Sequence, residues 1–387
     1  MLQRQSEQLL RQLQRSFPVI AVTGPRQSGK TTLCRSFFDK KTYVSFENPD
    51  VLERVTDDPR GFLKSHVKGA IFDEVQRCPG ILSYLQQVVD EDPVPGRFIL
   101  TGSQQFDLMS GITQTLAGRV GTLELLPFSY NEWNVDAAEN DLDSVMFQGL
   151  YPPVHDRGLD PLLWYPNYTR TYIERDVRKL TNVQNLAAFQ RFVRLCAGRI
   201  GNLVNYSDLA SDCGITHNTA KSWMAVLQAS YLVFLLQPHH KNFNKRIIKT
   251  PKLYFYDTGL ACWLLSIQSA EQLNSHAMRG HLFESWIISE LVKKRFNRGL
   301  PANLYFWQDR AKIEVDVIRE DALLHPIEIK SGSTFRTEFL KGLNRWLSLA
   351  GDSSGTPCLI YGGTDSFTHK NTRVLPWHKV EDATDIN

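Results

Sequence analysis

The chain has no long apolar run. The longest obvious one, Tyr231 to Leu236, falls far short of the ~20 residues a membrane span needs, so no transmembrane helix and no membrane partner is expected. The first residues, Met1-Leu2-Gln3-Arg4-Gln5, lead into a Gln- and Arg-rich helical pattern without an apolar core of signal-peptide length. Cysteine is sparse. The six residues Cys34, Cys78, Cys196, Cys213, Cys262 and Cys358 form no C-x-x-C pair and read as reduced packing residues, which points to the cytoplasm. Excess charge is also lacking: 44 Lys+Arg against 41 Asp+Glu leave only +3, a total that does not announce a polyanion binder. No internal repeat or low-complexity tract is present.

What is present can build real cores. The 387 residues are 42% hydrophobic, 11% aromatic and 22% charged, which excludes a mainly disordered chain. At ~150 residues per domain, two or three domains are expected. Charge is unevenly spread. Residues 1–159 carry 16 basic and 20 acidic side chains, residues 160–256 carry 13 and 5, and residues 257–387 carry 15 and 16. A middle block of net +8 lies between blocks of −4 and −1. A basic block is the usual footprint of a polyanion partner.

In the first block, Pro18 to Thr23 reads as a buried parallel strand. It runs into Gly24-Pro25-Arg26-Gln27-Ser28-Gly29-Lys30-Thr31-Thr32 and then a helical stretch, Leu33 to Phe38. This is G-x-x-x-x-G-K-T in strand–loop–helix context. Backbone amides of Gly24, Gln27, Ser28 and Gly29, with Thr32 just beyond, can close around phosphate oxygens at the helix N-terminus. Lys30 is expected to reach the β/γ-phosphates of ATP, and Thr31 to ligate Mg²⁺. A second strand, Gly69 to Phe72, ends in Asp73-Glu74. Asp73 can hold the Mg²⁺ shell and Glu74 can polarise the attacking water, a pairing that argues for hydrolysis. A third, Arg97 to Leu100, ends in Thr101-Gly102-Ser103-Gln104. Ser103 is the expected γ-phosphate sensor, with Thr101 or Gln104 as substitutes and a plain capping turn as the alternative. Arg119, ahead of the expected strand Thr122 to Leu126, is either a finger reaching a neighbouring subunit's nucleotide or a surface ion pair.

The runs GPRQSGKTTL, AIFDEVQRCPGIL, RFILTGSQQF, LAGRVGTLELLPFSYNEW and GLYPPVHDR, in that order, resemble a family of prokaryotic AAA-type ATPases. That resemblance covers nearly the whole chain. It implies a C-terminal domain like a restriction endonuclease, of the PD-(D/E)XK type. The family carries a run similar to Tyr172-Ile173-Glu174-Arg175-Asp176. Arg175 or Arg178 there reads as a lid arginine or, more simply, as a helix-surface ion pair.

In the middle block, Tyr206 to Cys213 reads as a short helix capped by Ser207 or Asp208, with Gly214 making the turn and Thr216 to Leu227 a second helix. A strand, Tyr231 to Leu236, a polar loop and a strand, Ile247 to Tyr256, complete a winged helix-turn-helix. His217, Asn218 and Lys221 would face a DNA groove. Lys241, Lys245, Arg246, Lys249 and Lys252 would meet phosphates. The alternative is a winged helix that packs on neighbours without touching DNA.

In the last block a helix begins at Arg279 and contains Glu284; strands are expected at Leu304 to Trp307, Ile313 to Ile318 and Pro326 to Ser331. Alternate strand residues share a face, so Glu328 and Lys330 project together, with Asp316 beside them. This is D…E-x-K, with Glu284 added from the helix. Glu284, Asp316 and Glu328 are the expected metal ligands, and Lys330 the cation steadying the attacking hydroxide or the phosphorane. Family members usually have Arg after the middle strand's Trp and Gly before its acidic pair; here these are Gln308 and Ile313. These departures touch substrate contacts more than metal ligation, and the domain either cuts DNA or only binds.

The expected fold is α/β: a P-loop AAA-type ATPase core at 1–159, a lid helix and winged helix at 160–265, and a nuclease-like α/β domain at 266–387. The expected function is Mg²⁺-dependent ATP hydrolysis coupled to DNA binding or remodelling in a homo-oligomer, a hexameric ring being one form. The alternative is a nucleotide-gated protein-interaction ATPase whose nuclease-like domain only docks.

Overall fold

A computed structural model describes residues 2–102, 115–133, 141–173, 185–239 and 249–384. The chain divides into two compact units. The first comprises 1–128 with two short returns, 229–231 and 295–301; the second holds the rest. The expected junctions at 159/160 and 265/266 both lie inside the second unit.

The first unit is built on a parallel sheet: β1 (Val19–Thr23), β2 (Thr42–Ser45), β3 (Ala70–Asp73), β4 (Phe98–Thr101) and β5 (Val120–Glu124), in the order β2-β3-β4-β1-β5. Residues alternate between two cores. Val19, Ala21, Ala70, Phe72, Phe98 and Leu100 enter one cluster; Ile20, Val22, Ile71, Ile99 and Leu123 enter the other. Burial of both faces is why these strands read as continuous apolar runs. Pairing is in register from Val19 with Val120 to Thr23 with Glu124. The loops after β1 and β3 therefore open on the same sheet edge, where ligands of open parallel sheets bind.

The second unit carries an eight-stranded sheet, β12-β13-β11-β10-β9-β8-β6-β7. β6 (Val233–Pro238) and β7 (Lys252–Phe255) form an antiparallel hairpin. β6 also pairs with β8 (Leu304–Gln308), Gln237 opposite Tyr305 and Pro238 opposite Phe306. β8, β9 (Glu314–Glu320) and β10 (Leu324–Lys330) form an antiparallel meander. Beyond it lie β11 (Cys358–Tyr361), β12 (Phe367–His369) and β13 (Thr372–Pro376). Two strands expected to belong to the middle block are thus hydrogen-bonded into the sheet of the last.

Helix Leu186–Ala197 packs beside the helix pair Tyr206–Cys213 and His217–Ala229, with Trp223 edge-on to Phe189 and Phe192. Gly214 makes the intervening turn in the left-handed region, φ 67°. The cap of the first of the pair is neither Ser207 nor Asp208. Asn205 accepts from both of their amides, so these two are donors there and not caps. Pro161–Tyr168 is α-helical and runs on as a π-helix over Thr169–Ile173.

Candidate functional site

Two clusters of chemically capable side chains stand out, one in each unit. In the first, helix Lys30–Phe37 starts at Gly29, directly after the loop that leaves β1. Gly24 packs so closely on β5 that a Cβ there would stand 2.1 Å from the Leu125 carbonyl oxygen, and its φ of 144° suits only glycine. Gln27 holds φ 59° and is exposed, while Ser28 is buried with no hydrogen-bond partner for its Oγ among the described residues. Lys30 is buried and donates to the carbonyl oxygens of Gly24 (3.0 Å) and Pro25 (2.7 Å). Burial pulls its ammonium down to about 8, against the opposing pull of Glu74 and Asp73. Asp73, buried at the end of β3, accepts from the hydroxyls of Thr31 (3.1 Å), Tyr43 (2.6 Å) and Thr101. Burial, then the Asp73 carboxylate, push the Tyr43 hydroxyl up to about 12, so it stays a donor.

The hydroxyl of Thr31 beside the carboxylate of Asp73 is the donor set a phosphate-bound Mg²⁺ requires. Together with the Ser28 hydroxyl, unpartnered among the described residues, and the Gly24 turn that only glycine fits, it fits a nucleoside triphosphate with its cation. Glu74 follows in a left-handed conformation, φ 55°, with its carboxylate accepting from Gln76. Thr101, one of the expected substitutes for Ser103, is fully buried and spends its hydroxyl on Asp73. Ser103 and Gln104 lie outside the described residues.

In the second unit, Glu284 (helix Arg279–Asn297), Glu314 and Asp316 (both β9) bring carboxylate oxygens within 4.8 Å of one another. Glu328 and Lys330 project from β10 beside them. The Lys330 ammonium is 2.6 Å from Glu328 and 3.4 Å from Asp316. Asp316 also accepts the Ile329 amide at 2.7 Å. Burial, then Asp316, push Glu284 up to about 7 and Glu328 well above the ordinary carboxylate range. The Glu328 Oε2 atom is buried with no hydrogen-bond partner among the described residues. Crowded carboxylates with an orphaned oxygen fit a hard divalent cation.

Sequence reasoning missed Glu314, although it stands two residues before Asp316 and therefore on the same strand face. Lys252, expected at a phosphate, is a correction. It is buried at 6% exposure, ion-paired with Glu314 and 3.6 Å from Glu284. Its neighbour on the same face of β7, Tyr254, donates to Glu284. An ammonium so enclosed has no surface to offer a polyanion.

Residues 16–134 match the family described as AAA domain. Residues 139–271 and 279–380 match two families described as domains of unknown function, DUF8612 and DUF4143. An uncharacterized protein of Mycobacterium tuberculosis (strain H37Rv) is 31% identical over 323 residues, 82% of this chain and 71% of the relative. A counterpart in Mycobacterium bovis gives the same 31%, 82% and 71%. The chain belongs to the family of these mycobacterial proteins. Its first unit carries the parallel-sheet core of an AAA-type ATPase domain. Among solved structures, the Walker-type ATPase of Pyrococcus abyssi is 14% identical with a TM-score of 0.44, covering 67% of this chain and 94% of its own. A RuvB variant of Thermotoga maritima is 14% identical at 0.25, covering 59% and 85%.

The other expected residues of this family member fall as follows. Arg119 pairs with Asp90 through two nitrogens, at the surface. It precedes Val120, which pairs with Val19 at the far end of β1 from the phosphate loop, about 13 Å away along the strand. His217, Asn218 and Lys221 are exposed along one helix, and Lys249 is exposed. Lys241, Lys245 and Arg246, like Arg175 and Arg178, lie outside the described residues. No helix among the described residues is long and apolar enough to cross a membrane.

Proposed function

We propose that the protein is a Mg²⁺-dependent ATPase that acts on DNA. The convergence of Lys30, Thr31 and Asp73 at one sheet edge carries this reading. Lys30, released from the Gly24 and Pro25 carbonyls, binds the β/γ-phosphates. Thr31 and Asp73 would hold Mg²⁺, which would neutralise phosphate charge when bound. Thr101 and Tyr43 orient Asp73, and Glu74 takes the proton of the attacking water. Arg119 stands at the opposite sheet edge from its own loop and pairs with Asp90, so a finger role for it requires the nucleotide of a second copy in a homo-oligomer, of which a ring is one form.

For the remainder we propose the division 1–159, 160–265 and 266–387, with the helix pair and the β6–β7 hairpin as a winged helix and the last part as a nuclease-like domain. The exposed row His217, Asn218 and Lys221 supports a groove-facing helix. Glu284, Glu314, Asp316 and Glu328 would hold a divalent cation, which supplies Lewis-acid polarisation of a phosphodiester when bound. Lys330 lies beside them to steady developing charge. One observation favours the second reading, a docking domain that does not cut: Lys252 and Lys330 already neutralise part of the acidic cluster. The deciding experiment measures ATP hydrolysis and strand cleavage over a panel of DNA shapes at rising salt. Hydrolysis stimulated by DNA, and less so as salt rises, supports a DNA-acting ATPase. Hydrolysis indifferent to every DNA refutes it in favour of protein partners.

A further inference from the structure

Tyr231 is held in the left-handed region at φ 55°. It closes the helix His217–Ala229, because the Leu232 amide reaches back to the Leu227 carbonyl at 3.0 Å. That six-to-one bond passes through a left-handed residue, and glycine is its usual occupant. A tyrosine there is an outlier that its surroundings must hold in place. The surroundings hold the side chain. Tyr231 is 2% exposed, and residues 229–231 group with the first unit although the chain on both sides belongs to the second. Its phenol oxygen is 3.0 Å from Thr23 Oγ1 and is also hydrogen-bonded to Glu124.

Thr23 and Glu124 are the paired last residues of β1 and β5. Gly24 comes next and rests on the Leu125 carbonyl, while the Leu125 amide donates to the Thr23 carbonyl at 2.8 Å. The phosphate loop therefore leaves β1 on a platform made by the exit of β5. A second distant side chain fastens the same platform. Arg4 donates to the carbonyls of Ser28 (2.9 Å) and Leu126 (2.7 Å), with its guanidinium 4.9 Å from the Phe128 ring centre.

We infer that Tyr231 is a positioning residue of the nucleotide site: through Thr23 and Glu124 it sets where the phosphate loop departs, and thereby nucleotide affinity. This rests on the ATP reading above. Tyr231→Phe keeps the ring and removes the hydroxyl, and Thr23→Val removes the opposite partner. Both variants, the double variant and the wild type, all as full chains, are titrated with a fluorescent ATP analogue. Their KM, kcat and nucleotide-free melting temperature are measured alongside. Tyr231→Phe, which gives up the contacts to both Thr23 and Glu124, should weaken binding at least fivefold, the worth of about one net hydrogen bond or more. KM should rise in step and kcat should hold. The double variant should be no weaker than Tyr231→Phe alone, since the contact that Thr23→Val removes is already lost there. Unchanged affinity in Tyr231→Phe, or single effects that multiply in full, overturns the inference, and so does a fall in melting temperature alone, the mark of a merely structural role. A wild type that binds no analogue brings down the ATP reading and this inference together; a wild type that binds, with a Phe variant that binds equally well, brings down the inference alone.

Discussion

Lys252→Met should make the acidic cluster bind a divalent cation more tightly while weakening the metal-free protein. Four carboxylates, Glu284, Glu314, Asp316 and Glu328, face two ammoniums, Lys252 and Lys330. With every carboxyl ionised, the form that binds a cation, two negative charges are left over, and the variant leaves three. The Lys252 ammonium occupies space among the very oxygens that a cation would use, 3.6 Å from Glu284 and closer to Glu314. At such a distance and an effective dielectric of ~20, unit charges interact by about 5 kcal/mol. Relaxation and water take much of that, so Mn²⁺ affinity should rise by roughly 10- to 100-fold. Removing one partner of a buried ion pair costs about 3–5 kcal/mol, roughly 10 °C of melting temperature in EDTA for a unit of this size. Mn²⁺ at about 100 times its Kd should return about 2.7 kcal/mol. The assay is calorimetric titration of Mn²⁺ without nucleotide, with melting curves in EDTA and in Mn²⁺; Asp316→Asn, lacking a ligand, is the control. Equal Mn²⁺ affinity in wild type and Lys252→Met, or a melting deficit that Mn²⁺ leaves untouched, would refute the reasoning.

Lys30→Ala should weaken ATP binding by roughly 10- to 100-fold, the worth of a charge-assisted contact, as read by analogue titration. Glu74→Gln should retain ATP while turnover falls by about 10²- to 10⁴-fold, and rapid hydrolysis by this variant removes Glu74 as the base. Arg119→Ala should lower hydrolysis by about 10³-fold and spare binding; mixing it with Glu74→Gln subunits restores activity only when Arg119 acts on a neighbour's nucleotide. Stability in EDTA should fall as pH rises from 5 to 8. The Glu284 carboxyl stands at about 7, raised by burial and then by Asp316, so between its ordinary 4.5 and 7 the folded chain keeps a proton that the unfolded chain gives up. Glu284→Gln should flatten that slope in urea unfolding, and an undiminished slope counts against the buried-carboxylate account.

Local pattern made part of this molecule legible. The phosphate loop and the two carboxylates after β3 are contiguous in sequence, and a strand followed by a glycine turn and a helix leaves little conformational choice. Glu314 was legible too, by the same alternation that paired Glu328 with Lys330, but the D…E-x-K spacing drew the eye past it. Lys252, Tyr231 and Arg4 were not. Lys252 sits in a basic stretch that looks like a phosphate-binding wing, and only the pairing of β6 with β8 turns that stretch toward the acidic cluster. Tyr231 begins an apolar run, where a core residue is the natural reading; its hydroxyl acquires meaning from Thr23, 208 residues away, and from Glu124. The cap at Asn205 lies just ahead of the expected candidates, because its side chain reaches the amides two and three residues on, those of Ser207 and Asp208.

The pairing of β6 with β8 also governs how this protein can be taken apart. A fragment starting at residue 266 keeps Glu284, Glu314, Asp316 and Glu328 but loses β6 and β7. It therefore bares the hydrogen-bonding edge of β8, a ready template for self-association. It also strips away Lys252 and Tyr254, leaving the carboxylates with Lys330 but without one ammonium and one hydroxyl that face them. Cutting on the N-terminal side of Val233 keeps the sheet whole. Nuclease assays on the shorter fragment would report on an aggregating, over-charged remnant of the site.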